Sequence, residues 1–257
     1  MGGLVRSKSK AFMYIAHLLA AMAAVMVLVW SIHFRGGLAF ESANKSLIFN
    51  VHPVLMLIGF IIMGGEGRAA KILRNHQKLT GIHVFIFDYV TATMSYRTLP
   101  WSKRVKKTIH LILHAIALVL GVFGIYFAFK FHNESGIDNL YSLHSWMGLG
   151  TICLYGIQWI FGFVTFLYPG ASVFLRTAYL AWHVLFGVFV YLLAIATAEL
   201  GFLEKLTFLE TSGILHRYSP EAFLVNSTAL VVILLGASVV LSLIVPYIDY
   251  SNIYTVD

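Results

Sequence analysis

The chain has 257 residues, of which 59% are hydrophobic and only 11% are charged. A soluble domain carries roughly 25% charged residues, so this chain cannot cover a water-facing surface; a soluble enzyme, a disordered tail and a nucleic-acid-binding domain are excluded. The formal charge of +7 then reads as the signature of one membrane face rather than as an attraction for nucleic acid.

Crossing the hydrocarbon core takes about 20 apolar residues in a helix. Six segments reach or approach that length: 11–34, 47–65, 108–130, 142–168, 179–199 and 223–247. The first is too long for a signal-peptide core, and Trp30 and His33 spoil a small-residue cleavage site. Between the second and third segments lies a polar stretch followed by a short apolar run, Ile82–Val90, too short to span. The chain thus reads as all-α, a six-helix transmembrane bundle in a single domain over 1–257, with both termini on one side.

Which side follows from the basic residues. Arg6, Lys8 and Lys10, then Arg68, Lys71, Arg74, Lys78, Arg97, Lys103, Arg104, Lys106 and Lys107, then Arg176, all fall on one face. The opposite face holds Arg35, Lys45, Lys130, Lys205 and Arg217. By the positive-inside rule the richer face is cytoplasmic.

The single cysteine, Cys153, rules out an intramolecular disulfide and a CxxCH haem attachment. The supply of histidines is the unusual feature: there are eleven, several within apolar runs. Ionisable residues inside a membrane are costly and mark functional positions. His52 and His144 start inward-running spans, so both lie toward the non-cytoplasmic side. His110 and His183 start outward-running spans, so both lie toward the cytoplasm. Each membrane half therefore receives one pair, drawn from two helices, as a bundle builds a cofactor site in its core. Two imidazoles suit the two axial positions of a haem iron, and two such haems stacked along the bilayer normal would lie near both faces.

The remaining histidines read more plainly. His17 has no partner at its depth and His114, one turn after His110, reads as a packing or supporting residue. His76, His83 and His216 fall in connections, and His33 is interfacial. His132 faces the outer compartment, where it could meet a substrate. Trp30, Trp146 and Trp182 sit near span ends as an interfacial belt would; Trp101 falls in the basic connection and Trp159 deeper in its span.

At FNVHP (49–53), KKTIHLILH (106–114), YSLHSW (141–146) and AWHV (181–184), joined by HFRGG (33–37) and GFLEKLTFLE (201–210), the sequence resembles the eukaryotic cytochrome b561 family, its plant members above all. The resemblance runs from the first span through the sixth. It implies six helices, with two haems b per chain between the central four. His52 and His144 then match the axial ligands of the outer haem, and His110 and His183 those of the inner one. Asn139 and Glu204 match positions beside the outer haem, and Arg97 resembles the residue that faces the inner propionates.

The resemblance also implies an activity: an ascorbate-dependent transmembrane oxidoreductase, with electrons passing from cytoplasmic ascorbate to monodehydroascorbate or ferric chelates on the other side. Lys103, Lys107 and Arg176 match the cationic site for ascorbate; His132, with Phe131 and Tyr141, matches the outer acceptor site. A homodimer in an endomembrane such as the vacuolar membrane, rather than the plasma membrane, is implied as well. One rival is a haem-binding subunit that receives electrons from a protein partner. Another is a transporter with histidine proton relays, disfavoured by few intramembrane carboxylates and no evident inverted repeat.

One stretch departs from the family. Its members run from GGE directly into the segment ending in YR, whereas residues 68–92 are extra here. Because the pattern resumes cleanly afterwards, a retained intron or misplaced exon boundary is the expected origin; transcripts carrying only the long form, with protein of that length, would overturn it. If translated, the insertion moves Arg97 away from the end of the second span.

Overall fold

The computed structural model describes residues 2–65 and 102–244. Within them, six helices are long and apolar enough to cross a membrane. We number them α1 (Gly2–Val29, carried on by Trp30–Phe34), α2 (Lys45–Ile62), α3 (Lys103–Ser135), α4 (Leu143–Phe166), α5 (Val173–Thr211) and α6 (Pro220–Ile244). Inside a bilayer every backbone polar group must be satisfied within the chain, which a helix does by itself.

Serine starts four of these helices. Ser102, Ser142, Ser172 and Ser219 each accept a hydrogen bond from the backbone N–H three residues on, so that one of the otherwise orphaned first-turn donors is satisfied. At the far end of α3, Gly136 has φ +68° and its N–H reaches the His132 carbonyl, a left-handed stop that glycine adopts without strain.

The helices outrun the apolar segments that announce them. At 1.5 Å per residue, the 39 residues of α5 exceed a hydrocarbon core of about 30 Å. Both ends of α5 therefore extend past the span expected at 179–199, and His132 lies in the last turn of α3 rather than beyond it.

The helices sort into a pair and a ring. Helices α1 and α6 pack chiefly on each other. The α1 face is Ala16, Ala20, Ala23 and Val27; the α6 face is Val225, Thr228, Val232, Leu235 and Val239, all buried. Their alternating spacings of three and four residues keep one stripe inward on each helix, and the small side chains let the backbones come close, which is where membrane helices gain packing energy. The pair is tied at its outer end by the Glu221 carboxylate. It accepts from the Trp30 indole (2.8 Å) and from Arg35 (2.5 Å). Trp30 is thus a buried residue spent on an internal hydrogen bond, not a member of the interfacial belt, whereas Trp146 and Trp182 are exposed as a belt requires.

Helices α2 to α5 close the ring through α2–α3, α3–α4, α4–α5 and α5–α2 contacts. Helix α2 is irregular. Pro53 lacks an N–H to continue the ladder, and wide π-helical turns run from Leu55 to Ile62. Such turns are frequent at functional positions. Just before them Asn50 donates to the carbonyls of Arg35 and Gly37, anchoring the start of α2 to the preceding connection.

Candidate metal centres

The four intramembrane histidines come together as two pairs. His52 of α2 faces His144 of α4 with ring centres 6.0 Å apart. His110 of α3 faces His183 of α5 at 6.3 Å. A metal–imidazole bond of about 2 Å, plus about 1 Å from the nitrogen to the ring centre, places two imidazoles on opposite sides of one metal about 6 Å apart. Both pairs match that spacing.

Among the described residues no group of three or more His, Cys, Asp or Glu converges to hold a bare ion. Two facing imidazoles need a ligand set that supplies the remaining positions in the plane between them, which is what a porphyrin does.

The tautomers of the outer pair also fit. His52 Nδ1 donates to the Gly124 carbonyl and His144 Nδ1 to the Thr197 carbonyl, both at 2.9 Å. With the proton on Nδ1, Nε2 keeps its lone pair for a metal, and the ring orientation is fixed. The neighbouring backbone makes room. A Cβ on Gly201 would lie 2.7 Å from His144 Cε1, so this position admits no side chain beside the ring as it stands. Glu204, one turn further along α5, accepts from the Ser142 hydroxyl at 2.9 Å and binds Tyr141. Partial burial and the Glu204 carboxylate together push the Tyr141 hydroxyl up from its usual pKa, so that it stays a neutral donor to that carboxylate.

The inner pair is dressed differently. The Gln158 amide nitrogen lies 3.0 Å from His183 Nδ1 and donates to the His183 carbonyl at 2.8 Å. Phe166 sets its edge against the His183 ring at 5.2 Å. His114 packs against His110 with ring centres 4.3 Å apart, and its Nδ1 lies 2.5 Å from the Tyr155 hydroxyl. His110 is the α3 histidine whose ring pairs with His183, while His114 is held by Tyr155. An apolar cavity bounded by His110, His183, Gln158, Gly162 and Tyr155 opens between them. Its floor reaches Lys107, whose ammonium donates to the Phe166 carbonyl at 3.2 Å and lies 6.0 Å from the Phe166 ring centre.

The other expected site residues are placed as follows. Arg176 is half-buried at the start of α5 and its Nε donates to the Ala171 carbonyl at 2.7 Å. Lys103 opens α3. Phe131 stands between Phe49 and His132 in ring contact with both. His132 Nδ1 is 3.2 Å from Asn139 Oδ1, and Asn139 donates on to Asn133; Asn139 itself is exposed. Arg97, the insertion at 68–92, Trp101, His76 and His83 lie outside the described residues. Gln158 and Tyr155 escaped the sequence reading. The available signal was an amide and a phenol inside an otherwise apolar run, where each must find a partner.

A ring of four membrane helices with one pair of facing imidazoles in each half is the architecture of a membrane-embedded haem protein. The family profile of eukaryotic cytochrome b561 matches residues 75–209. A rice protein named probable ascorbate-specific transmembrane electron transporter 1 is 63% identical over 236 residues, covering 91% of this chain and 90% of its own. Transmembrane ascorbate ferrireductase 1 of Arabidopsis thaliana is 56% identical over 93% of this chain and 89% of its own, and the human transmembrane ascorbate-dependent reductase CYB561 is 35% identical over 87% and 78%. The chain belongs to the eukaryotic cytochrome b561 family, and membership brings haem b as its cofactor.

Proposed function

We propose that this protein is a transmembrane ascorbate-dependent oxidoreductase that takes electrons from cytoplasmic ascorbate and delivers them to monodehydroascorbate or a ferric chelate on the opposite side. The observation that carries this reading is the pair of imidazole couples, one in each half of the ring, each at the spacing of a bis-histidine metal site. Two haems b per chain, held by His52 with His144 and by His110 with His183, supply one-electron carriers within reach of each face.

The chain's own residues do the rest. Lys107 and Arg176, with Lys103 at the head of α3, attract the ascorbate anion and orient it at the inner pair. The Phe166 ring lies against both Lys107 and His183, so the substrate end and the ligand are in direct packing contact. The family reading assigns Arg97, which lies outside the described residues, to the inner propionates. On the outer side the family reading assigns Asn139 and Glu204 to the surroundings of the outer haem, and His132, Phe131 and Tyr141 to the acceptor site; Asn139 is hydrogen-bonded to His132. Outward electron transfer carries negative charge across the bilayer, so the membrane potential biases its rate. A homodimer in an endomembrane such as the vacuolar membrane completes this reading; cross-linking and membrane fractionation test these two points.

The test is vectorial transfer in proteoliposomes. With ascorbate trapped inside and a ferric chelate outside, chains oriented with Lys107 toward the lumen reduce the external iron, and Lys107→Ala raises the ascorbate concentration needed. A protein whose haem is not reduced by ascorbate alone would instead favour a subunit fed by a protein partner.

A further inference from the structure

The outer half contains a cation that the reading above does not use. Lys205 follows Glu204 on α5 and is half-buried. Its ammonium lies 3.9 Å from the Phe49 ring centre and 5.7 Å from that of Phe131. Phe49 in turn packs against the His52 ring at 5.9 Å and against Phe131 at 5.1 Å. The ammonium is thus one aromatic ring removed from His52, through Phe49, and one removed from His132, through Phe131.

Its charge is not balanced. Among the described residues no carboxylate forms an ion pair with Lys205; the pairs formed are Arg35–Glu221, Lys45–Glu134, Lys130–Glu41, Lys130–Glu134 and Arg217–Glu210. The neighbouring carboxylates are committed: Glu221 to Trp30 and Arg35, Glu204 to Ser142. Arg35 repels Lys205 and Glu221 attracts it, so two cations share one carboxylate. Attraction to two aromatic faces offsets only part of what an ammonium loses on leaving water. A cation kept there needs an anion.

We propose that Lys205, framed by Phe49 and Phe131, is the anion-binding group of the outer half and takes a carboxylate or comparably delocalised oxyanion. This rests on the reading of His52 and His144 as an outer haem pair. Two sources offer that chemistry: a propionate of the outer haem, or an anionic electron acceptor arriving from the outer compartment.

Lys205→Gln and Lys205→Arg, compared with the wild-type holoprotein, separate the sources. Optical redox titration reads the outer haem, and steady-state reduction compares a ferric citrate anion with an uncharged quinone acceptor. If Lys205 holds a propionate, Lys205→Gln lowers the outer midpoint potential, because a positive charge next to the oxidised iron is lost, and leaves the inner component unchanged. If it holds the acceptor, the potentials stay put while KM for ferric citrate rises about tenfold, the loss of one charge-assisted hydrogen bond, and KM for the quinone does not. Either result, restored by Lys205→Arg, supports the proposal. Unchanged potentials together with unchanged KM in Lys205→Gln overturn it. Should Lys205→Gln fail to assemble, Lys205→Arg decides alone: it must keep both the outer potential and the ferric citrate KM, and loss of both overturns the proposal. Failure of the haem reading itself would appear in the wild-type protein, as missing haem or no reduction by ascorbate.

Discussion

The outer and inner imidazole pairs share nearly one spacing, 6.0 and 6.3 Å between ring centres, yet are held by different means. The outer imidazoles give their Nδ1 protons to backbone carbonyls, those of Gly124 and Thr197. At the inner pair, side chains take over: the Gln158 amide beside His183, and the His114–Tyr155 couple beside His110. A carbonyl of a helix is present whatever the side chain, so the outer orientation survives most substitutions. An amide or phenol can be exchanged, so the inner site is the one that sequence change can tune. The outer half is also braced from outside the ring, by the Trp30–Arg35–Glu221 cluster.

The largest effects should treat the pairs as independent. His144→Ala removes one haem per chain and leaves the inner one, and His183→Ala does the reverse; haem content with the shape of the reduced α-band reads both. Loss of both haems in either variant would break the comparison. Next comes the brace. Glu221→Ala strands the half-buried Arg35 guanidinium and the buried Trp30 indole, and the cost approaches the roughly 3–5 kcal/mol of breaking a fully buried pair. Thermal unfolding in detergent should register this as a large drop in midpoint, with the outer haem lost first on heating.

Third, Gln158→Leu should weaken haem retention at the inner site by about 10–100-fold, the usual cost of removing a partner of a metal-bound histidine. Haem transfer to apomyoglobin measures it, and the outer component should transfer at its wild-type rate. The smallest effects come from two glycines. A Cβ at position 201 would stand 2.7 Å from His144 Cε1, and one at position 162 would stand 3.2 Å from His183 Cε1. Gly201→Ala must therefore displace the outer imidazole, which Thr197 holds, and should shift the low-spin electron paramagnetic resonance signal of that haem. Gly162→Ala needs a displacement of only a few tenths of an ångström and should shift the inner signal less. A larger change at the inner site would mean that the inner pair is the more rigid of the two.

The six spans were legible because hydropathy reports burial in lipid directly, and the pairing of the four intramembrane histidines because their depth follows from helix direction alone. Helix ends were less so. Helix α5 continues to Thr211, well past the apolar run, since a helix in water needs caps rather than hydropathy. Ser172 before it and Gly213 after it were signals that hydropathy passes over. Trp30 was misread because a tryptophan near a span end looks the same whether it meets headgroups or, as here, a carboxylate 191 residues away. Gln158 was missed, and Lys205 was read only as an outer-face charge, for the same reason: their partners, His183 and the rings of Phe49 and Phe131, lie on other helices.

The most direct test of the two-pair account is a reduced-minus-oxidised absorption spectrum of the purified full-length protein, titrated with ascorbate and quantified for haem per chain. The account predicts two haems b per chain, both reduced by ascorbate, in two resolvable steps. A chain that holds one haem or none would contradict it.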